Sequence, residues 1–459
     1  MNIRSLLKKN KKLFSLSKAF DLSLEVLKFD IEEVINEVGK KISRKLNEKQ
    51  FKKYLFLIGP GNNGCDGLAT IKFLKTENKV QVYLYENGKN FKHLNKKFLK
   101  NLRNKIELIS LEKIKTYEYD CIVEAFFGTG FKGNLNSEAT EVLKICSRKN
   151  AFKISIDVPV KNFKADLTYS INEKKAKNAE LIILSAYEKM ENEYISFLDL
   201  LKIRTFEKER KCLNGKLLII AGSAKYLGSL YFASYCASQF CDLVYYHCPE
   251  QKNNMANEIP EAIPLNDLHE IKQKIKENYF DAILVGPGLT KEKKKELEEI
   301  LDLCLEKRIK LILDAFGIDM IKEKVLNEKV LITPHRGEFK RVFEKEANLE
   351  SLKEITKKKN CNILLKGKID YLCTYQRNVY KNVLGNNGLT KGGTGDTLAG
   401  LIASLATQND IIISAKAGLL LLTYTADELE KVYGKNYSVR ILIENIPKVY
   451  YSIIQKINS

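Results

Sequence analysis

A carboxylate follows a cluster of glycines near the C-terminal end of the chain, in the segment GNNGLTKGGTGDTLAGLIASL (residues 385–405). Gly392, Gly393 and Gly395 precede an apolar run with helical spacing, so their N–H groups are expected at a helix start, where they can stabilise a phosphoryl group in transfer. Asp396 falls in the first turn of that helix. A carboxylate there can take the proton from a hydroxyl that attacks phosphorus, as in small-molecule kinases. The segment therefore predicts phosphoryl transfer with Asp396 as the base.

Three strand-like runs upstream end in residues that suit a nucleotide and a substrate. They are VGPGLT (residues 285–290), TPHRGEF (333–339) and LLKGKID (364–370). Lys366 is the natural partner for a nucleotide phosphate, with an exposed surface lysine as the alternative. His335, in a strand-to-loop turn, is placed to hydrogen-bond a substrate, with a buried structural histidine as the alternative.

A second glycine-rich segment, IGPGNNGCDGLAT (residues 58–70), follows a strand-like run near the N-terminal end. Its glycines allow a tight turn, and the helix start behind them offers free N–H groups, so the position is that of a phosphate or dinucleotide cradle. Asn62, Asn63 and Asp66 add side-chain oxygens that also suit a monovalent cation or a sugar. An ordinary strand-to-helix turn remains the alternative.

Two further acidic residues lie at strand ends in the same half of the chain. Glu124 precedes AFFGTG, and Asp157 stands in SIDVP. Because ligands in open α/β sheets bind at the carboxyl ends of the strands, Asp66, Glu124 and Asp157 are expected to face one cavity. Three acidic groups there suit a cation or acid/base chemistry. A surface carboxylate for Glu124 and a turn cap for Asp157 are the alternatives.

Short β-rich runs separated by helix-length polar segments surround these motifs, which predicts an α/β protein with parallel sheets. Residues before position 50 have helical spacing from Leu24 to Val38. Two late runs, 371–375 and 378–383, predict an edge hairpin. The other predicted strands are 54–58, 80–85, 121–123, 154–156, 181–184, 217–221, 243–246, 282–285, 311–313, 330–333 and 363–365, and further helices are predicted over 394–407 and 412–433.

The strand pattern restarts after a charged stretch, which indicates a domain boundary. Consecutive charged residues run from Glu207 to Lys211, and apolar periodicity lapses over residues 203–213. Two domains are therefore predicted, residues 1–205 and residues 206–459.

Composition argues against several classes of protein. With 44% hydrophobic and 29% charged residues, the chain can build large cores. The net charge is +20, but the lysines are spread along the whole chain, which favours a solvated surface over nucleic-acid binding. The 10 cysteines form no CxxC pair and the 4 histidines no HExxH motif, which argues against a zinc enzyme. The sequence has neither a secretory signal nor a membrane-length apolar run, which predicts a cytoplasmic protein.

Taken together, the motifs resemble those of the bifunctional NAD(P)H-hydrate repair enzymes, in which an epimerase domain is fused to a nucleotide-dependent hydrate dehydratase. The resemblance implies an N-terminal Rossmann-like parallel sheet and a C-terminal ribokinase-like α/β sandwich, and it runs over nearly the whole chain. Segments similar to the epimerase half are GPGNNGCDGL, FFGTGFKG, SIDVP and KADLT. Segments similar to the dehydratase half are NGKLLIIAGS, VGPGL, LILDA, TPHRGEF, LLKG and GNNGLTKGGTGDTLAG, in the family's order.

In the C-terminal domain the resemblance implies dehydration of NADH or NADPH that has been hydrated at the nicotinamide ring. The ring hydroxyl would be phosphorylated by ADP, or by ATP in some relatives, with Mg²⁺ on the nucleotide phosphates, and phosphate would then leave. Asp396 would be the base. The residues implied to bind the nucleotide are Lys366, Gly367, Lys368, Asp370, Gly392, Gly393 and Gly395. The residues implied to line the substrate side are Ser229, Gly288 and His335.

In the N-terminal domain the resemblance implies interconversion of the R and S hydrates, with Asp157 as the acid/base group. Asn63 and Glu124 are implied to bind K⁺. The residues implied to contact the substrate are Asn62, Asn63, Asp66, Gly128 and Lys132.

The sequence departs from the family's pattern in both halves. Glu124 stands for the cation-binding aspartate, Val160 replaces a hydroxyl ligand, and Glu37 stands where asparagine is expected. These changes replace residues expected at the K⁺ site, so they leave both K⁺ binding and the rate of epimerisation open. In the other half Phe316 replaces an acid and Asp370 a threonine, which leaves the choice between ADP and ATP open.

Two other functions remain open from the sequence. A ribokinase-like vitamin-precursor or sugar kinase would use the same GTGD segment without elimination, although such kinases carry no comparable N-terminal domain. Alternatively, the N-terminal half is an inactive domain that binds RNA or protein beside a working dehydratase. For a repair enzyme, the predicted partners are a small-molecule substrate, which is hydrated NADH or NADPH, and other copies of the chain in a homo-oligomer. Binding to nucleic acid or to a membrane is not predicted.

Overall fold

The computed structural model of the chain describes residues 16–458 except 130–134, 211, 251–257 and 293. The chain divides into two compact units, of which the first ends at Lys189 and the second runs from Met190 to Ile457. In the described part of the chain, no helix is both long enough and apolar enough to cross a membrane.

The division between the units lies before the boundary predicted at residues 205–206. The segment between the two positions is bound to the second unit. The backbone N–H of Ile195 donates to the carbonyl of Lys381 at 3.0 Å. Asp199 forms an ion pair with the buried Lys416 at 3.4 Å. A charged stretch in the sequence therefore does not mark the end of the first compact unit.

A parallel sheet forms the centre of the first unit. Its strands are β1 (Lys53–Ile58), β2 (Lys79–Leu84), β3 (Glu107–Leu108), β4 (Cys121–Ala125), β5 (Phe152–Ile156), β6 (Leu167–Ile171) and β7 (Ala179–Ile182). Among the described residues the order is β3-β2-β1-β4-β5-β6-β7, and every neighbouring pair is parallel. The order reverses between β1 and β4, so the ligand crevice is expected where those two strands end.

Helices flank this sheet. They are α1 (16–26), α2 (Ile31–Glu48), α3 (Asn62–Phe73), α4 (His93–Asn101), α5 (Leu111–Thr116) and α6 (Ser137–Arg148). Helix α7 (Ser185–Glu193) begins in the first unit and contains the division between the units. Helix α2 begins where the Asp30 side chain accepts a hydrogen bond from the Glu32 N–H at 2.9 Å. A side chain at Gly39 would lie 2.6 Å from the carbonyl oxygen of Ala69 in α3, so only glycine lets the two helices pack this closely.

The second unit contains a mixed sheet. Its strands are β8 (Lys216–Ile220), β9 (Leu243–His247), β10 (Ala262–Pro264), β11 (Ala282–Val285), β12 (Lys310–Leu313), β13 (Val330–Ile332), β14 (Asn362–Leu365), β15 (Asp370–Cys373) and β16 (Val379–Asn382). The order is β10-β9-β8-β11-β12-β13-β14-β15-β16 within the described residues. Strands β15 and β16 form the predicted antiparallel edge hairpin, and the other pairs are parallel apart from β14–β15.

One buried helix lies across this sheet. The helices of the unit are α8 (Phe197–Leu200), α9 (Leu227–Ala237), α10 (Leu268–Lys276), α11 (Lys294–Glu306), α12 (Phe316–Asp319), α13 (Arg336–Phe343), α14 (Leu349–Lys359), α15 (Thr394–Ala406), α16 (Ile411–Tyr433) and α17 (Val439–Asn458). Helix α15 packs against α9, α16 and strands β8, β11 and β12, and most of its residues are buried. The start of α15 is thereby held at the strand ends next to the reversal between β8 and β11. The predicted α/β class is confirmed.

Candidate active sites

Asp396 lies in the first turn of α15, close to four other polar side chains, Ser229, Asp314, Glu338 and Lys366. The Ser229 side chain hydrogen-bonds it, and its pKa is raised to about 6. Burial is the main cause and the negative charge of Asp314 adds to it, while the Ser229 hydrogen bond and the charge of Lys366 oppose the shift. A carboxylate that titrates just below neutral pH suits a general base.

A cation is fixed beside Asp396 by a carboxylate at a neighbouring strand end. Lys366 Nζ lies 2.7 Å from Asp314 Oδ1, which also accepts a hydrogen bond from the Thr333 hydroxyl at 2.7 Å. Burial alone would lower the pKa of Lys366, but Asp314, Glu338 and Asp396 together raise it, so the ammonium group stays charged. An anionic ligand at the start of α15 would meet this cation.

The glycines at the start of α15 leave its N–H groups accessible. Gly393 is the N-cap, with φ +99° and no side-chain cap. A side chain at Gly393 would lie 2.6 Å from the Phe232 ring, and one at Gly395 would lie 3.5 Å from Lys366 Nζ. At Gly392 an added Cβ would have none of the described atoms within 4 Å. Uncapped helix N-termini of this kind bind phosphate.

Gly288 and Ser229 adjoin each other on the other side of Asp396. Gly288 has φ +65°, and a side chain there would lie 2.7 Å from both Ser229 Cβ and the Tyr226 carbonyl oxygen. Only glycine permits this close approach. The contact positions the Ser229 hydroxyl next to Asp396, the proposed general base. The structure therefore brings Ser229 and Gly288 together with Asp396, as the resemblance implied.

His335 is the N-cap of α13, where its Nδ1 accepts hydrogen bonds from the N–H groups of Gly337 (3.0 Å) and Glu338 (3.2 Å). Its side chain is 61% exposed. The neutral ring then carries its proton on Nε2, which can donate to a ligand. A backbone bridge joins His335 to Lys366, so the two predicted residues are neighbours.

Asp370 binds groups of its own turn and of the neighbouring strand. Its Oδ1 accepts a hydrogen bond from the Gly367 N–H at 2.9 Å, and its Oδ2 accepts one from the Asn382 side chain at 3.0 Å. Burial raises its pKa, against the effect of those two donors and of Lys366. Asp370 therefore holds the predicted nucleotide loop from inside, while Gly367 and Lys368 are exposed at the surface of the loop.

A cavity of about 480 Å³ lies at the strand reversal of the first unit. It opens at the ends of β1, β4 and β5 and is covered by α1 and α2. The predicted residues that line it are Asn62, Asn63, Asp66, Gly128 and Asp157. The structure thus brings the predicted substrate contacts into one cavity, except for Lys132, which lies outside the described residues.

Asp157 forms an ion pair with Lys175 in the wall of this cavity, and both side chains are less than 10% exposed. Its second carboxylate oxygen accepts a hydrogen bond from the Thr129 N–H at 3.2 Å. Asp157 has φ +68°, a strained conformation for a residue with a side chain. Strain, burial and a buried counter-ion at one carboxylate are typical of a catalytic group.

Two more carboxylates line the same cavity. Burial raises the pKa of Asp66 well above its usual value, and the charges of Asp157 and Asp21 add to the shift. The pKa of Asp21, on α1, is raised to about 6. Loss of hydration is the main cause and the charge of Asp157 adds to it, while the charge of Lys175 opposes the shift. The cavity therefore holds two acids with raised pKa values beside the Asp157–Lys175 ion pair.

Asn63 points an unsatisfied amide into the cavity. Both its Nδ2 and its Oδ1 are buried without a hydrogen-bond partner among the described residues. A side chain at Gly128 would lie 3.5 Å from Asn63 Cβ and 3.1 Å from Asp157 Oδ2, so glycine keeps the space above both groups open. A buried amide without a partner is a candidate ligand contact.

Glu124 does not fit the predicted role of a K⁺ ligand. Its side chain is fully buried and accepts hydrogen bonds from the Phe126 N–H (2.8 Å), the Ser155 hydroxyl (2.9 Å) and the Val160 N–H (3.4 Å). Burial raises its pKa to about 7, against these donors. The carboxylate therefore joins the loops after β4 and β5, and Asn63 alone of the two predicted ligands faces the cavity.

Glu37, where the family has asparagine, also binds protein groups. Its carboxylate accepts hydrogen bonds from the Ser185 N–H (3.0 Å) and hydroxyl (2.8 Å) and forms an ion pair with Lys41 at 2.8 Å. This side chain therefore anchors the start of α7 to α2.

Sequence reasoning missed three residues of these sites. Lys175 lies in a polar run and Asp21 in an amphipathic helix, and neither belongs to a motif. Asp314 was included only within the segment LILDA, with no role assigned to it. Lys175 follows a strand that was not predicted, and only the fold places it beside Asp157.

Comparisons with known proteins agree with the two units. A family model described as NAD(P)H-hydrate dehydratase matches residues 217–448, and one described as YjeF-related protein N-terminus matches residues 31–183. The bifunctional NAD(P)H-hydrate repair enzyme of Methanocaldococcus jannaschii is 30% identical over 91% of this chain and 89% of its own length. The enzyme of the same name from Archaeoglobus fulgidus is 29% identical over 90% of this chain and 93% of its own.

A solved structure resembles the second unit. The ADP/ATP-dependent NAD(P)H-hydrate dehydratase of Bacillus subtilis, co-crystallised with ATP/Mg²⁺, has a TM-score of 0.51 and 23% identity, covering 57% of this chain and 99% of that chain. At this identity the likeness concerns the fold alone. The family models and the archaeal relatives cover both halves of the chain in the same order. The chain belongs to the family of bifunctional NAD(P)H-hydrate repair enzymes.

Proposed function

We propose that this chain repairs NADH and NADPH hydrated at the nicotinamide ring. The second unit dehydrates the S hydrate with ADP or ATP, and the first unit interconverts the R and S hydrates. The observation that carries the proposal is the position of Asp396, at an uncapped helix start between the Ser229 hydroxyl and the Lys366 ammonium group.

In the dehydratase, Asp396 takes the proton from the ring hydroxyl of the hydrate. The hydroxyl oxygen then bonds to the terminal phosphorus of the nucleotide, and the bond from that phosphorus to the nucleotide's bridging oxygen breaks. Lys366 and the free N–H groups at the start of α15 stabilise the charge on the transferred group. The ring C–O bond then breaks with its electron pair on the leaving phosphate. The adjacent ring carbon loses a proton to the departing phosphate or to water, and the electron pair of that C–H bond restores the double bond of NAD(P)H.

The nucleotide phosphates would carry Mg²⁺, which neutralises their charge. Asp314 and Glu338 supply negative charge beside Lys366, and carboxylates of this kind help to hold such an ion together with phosphates. His335 and Gly288 line the substrate side. Lys368 and Gly367 are accessible to the nucleotide from the β14–β15 turn.

In the epimerase, Asp157 donates a proton to the ring hydroxyl, whose C–O bond breaks with release of water. Water then adds back to either face of the ring cation and returns a proton to Asp157, while Lys175 balances the charge of the carboxylate. The unsatisfied amide of Asn63 orients the substrate, and Asn62 and Asp66 lie beside it. The homo-oligomeric state expected from the resemblance stays a prediction.

The proposal is tested by the recovery of absorbance at 340 nm from a mixture of R and S hydrated NADH, with Mg²⁺ and either ADP or ATP. We expect the wild type to convert the whole mixture faster than the hydrates epimerise spontaneously. Asp396→Ala should recover none, and Asp157→Asn should stop at the S fraction. A stable phosphorylated product from a thiazole or pyrimidine alcohol, without recovery at 340 nm, would identify a vitamin-precursor kinase instead.

A further inference from the structure

A groove of about 580 Å³ lies in the second unit between the start of α9 and the start of α17. Its floor is mainly apolar, from Leu227, Phe232 and Val439. Two groups of opposite charge, Arg440 and Glu258, line it as well. None of these residues belongs to a motif found in the sequence.

The groove adjoins the proposed dehydratase site. Phe232, which lines the groove, packs so closely on Gly393 at the start of α15 that a side chain there would lie 2.6 Å from its ring. Gly228, also in the groove, precedes Ser229, whose side chain hydrogen-bonds Asp396. A ligand whose reacting atom lies at Asp396 can therefore extend into the groove.

Arg440 lies in the groove against an aromatic ring, and none of the described residues forms a hydrogen bond or an ion pair with its side chain. Its guanidinium lies 5.3 Å from the centroid of the Tyr231 ring, and Tyr231 in turn stacks on Tyr235 with centroids 5.6 Å apart. Within the described residues, no carboxylate lies at ion-pair distance from Arg440. A cation–π contact restrains a guanidinium while leaving its N–H groups available, and phosphate is a ligand that those groups match well.

The hydrated substrate is a dinucleotide, and only its nicotinamide end reacts. The remaining half is an adenylate, which combines a planar base with a phosphate. We propose that the groove binds this adenylate half, with the phosphate on Arg440 and the base against Leu227, Phe232 and Val439. Tyr231 acts as the positioning residue for Arg440. This inference rests on the proposed function, because it assigns the distal part of that substrate.

The test compares a full substrate with a truncated one. Turnover of hydrated NADH and of the hydrate of reduced nicotinamide mononucleotide, which lacks the adenylate, is measured for the wild type, Arg440→Lys, Arg440→Glu and Tyr231→Ala. The matched control is Arg308→Ala, since Arg308 is an exposed arginine that pairs with Glu328.

For Arg440→Glu we expect a loss of 10-fold to 100-fold in kcat/KM on hydrated NADH, mainly through KM, as for the loss of a charge-assisted hydrogen bond. Turnover of the truncated hydrate and the KM for ADP should stay within about twofold of the wild type. The loss of kcat/KM on hydrated NADH should be smaller for Arg440→Lys, because lysine keeps the positive charge. The loss for Tyr231→Ala should be similar to that for Arg440→Lys. Equal losses on both substrates, a raised KM for ADP, or no loss on hydrated NADH would each overturn the proposal.

A direct titration separates this inference from the proposed function. Binding of intact NADH, the reaction product, is followed by its fluorescence in the wild type and in Arg440→Glu. If the wild type fails to turn over hydrated NADH but binds NADH at least 10-fold more tightly than the variant, the groove assignment stands and the proposed function falls. Equal affinity of the two proteins overturns the groove assignment whatever the activity.

Discussion

Lys366 Nζ and Asp314 Oδ1 lie 2.7 Å apart at the carboxyl ends of β14 and β12, with Thr333 from the end of β13 on the same carboxylate oxygen. Three adjacent strand ends thus fix one cation. Asp314 is 4% exposed and Lys366 19% exposed, so the pair is largely removed from water. The pair lies beside Asp396, and the charge that would meet a phosphoryl group is therefore in place before any ligand binds.

Replacing the cation is expected to affect both stability and nucleotide binding. Lys366→Met leaves Asp314 buried without its partner, and breaking a buried pair in this way costs about 3–5 kcal/mol. The KM for ADP should rise at least 10-fold because a phosphate loses its charged donor. Urea unfolding and initial rates measure the two effects.

The double variant Lys366→Met/Asp314→Asn separates these effects. Removal of the second charge should recover much of the stability but none of the nucleotide affinity. Lys345→Met, at an exposed ion pair with Glu354, serves as the control for loss of a lysine. An unchanged KM for ADP in both Lys366 variants would place the phosphate elsewhere.

Gly288 is expected to be needed for the position of Ser229. In Gly288→Ala the new methyl group would meet Ser229 Cβ and the Tyr226 carbonyl oxygen at 2.7 Å, at φ +65°. The displaced serine would lose its contact with Asp396, so kcat for dehydration should fall more than 10-fold. Gly434→Ala is the matched control, because Gly434 has φ +58° and no described atom within 4 Å of an added Cβ. An equal loss of activity in both variants would mean that backbone strain alone is responsible.

Most of the fold could be predicted from the sequence because buried parallel strands are short apolar runs between polar helices. The strands that were missed lack this signal. β3 has two residues, both exposed; β10 has three and includes Pro264; β6 is the run LTYSI, in which polar residues are buried inside the sheet. The division between the two compact units could not be predicted because it depends on contacts with Lys381 and Lys416, far along the chain.

The sites could be predicted only in part. Glycine-rich strand ends revealed Asp396, Asn63 and Asp157, because strand topology brings such ends together. The direction of a side chain is not encoded in a motif. Glu124 and Asp370 occupy motif positions, yet backbone N–H groups of their own loops bind both carboxylates. Conversely, Lys175 lies in a polar run and reaches Asp157 only through the fold.

The geometry of Glu124 predicts an epimerase that works without K⁺. Because protein donors occupy the carboxylate, replacing K⁺ by choline at equal ionic strength should change the R-to-S rate by less than about twofold. Glu124→Gln should slow epimerisation and lower stability, since an amide N–H₂ would face one of the N–H donors. The rate is measured by coupling to excess separate dehydratase. A K⁺ stimulation that disappears in Glu124→Gln would instead make Glu124 a ligand of the cation.

The pKa of Asp396, raised to about 6, predicts an acid limb in the dehydratase rate. The base must be ionised, so kcat/KM should fall tenfold per pH unit well below pH 6 and level off above it. The Ser229 hydrogen bond lowers this pKa, and its loss in Ser229→Ala should therefore move the limb to higher pH. Ser238→Ala is the control, because Ser238 lies at the other end of α9 and its hydroxyl donates to the Tyr235 carbonyl. This variant should leave the pH dependence unchanged.

The same pKa predicts how Asp396 affects stability. Its value in the folded protein, about 6, lies above the ordinary value of 3.8, so between these pH values the folded state binds more protons than the unfolded state. The stability contributed by that protonation is lost as the pH rises through about 6. Asp396→Asn should lack this loss and unfold at higher urea than the wild type at pH 8, although it cannot act as a base. Urea unfolding of both proteins at pH 5 and at pH 8 tests this prediction. If the difference in unfolding free energy between the wild type and Asp396→Asn is the same at the two pH values, the pKa is not raised.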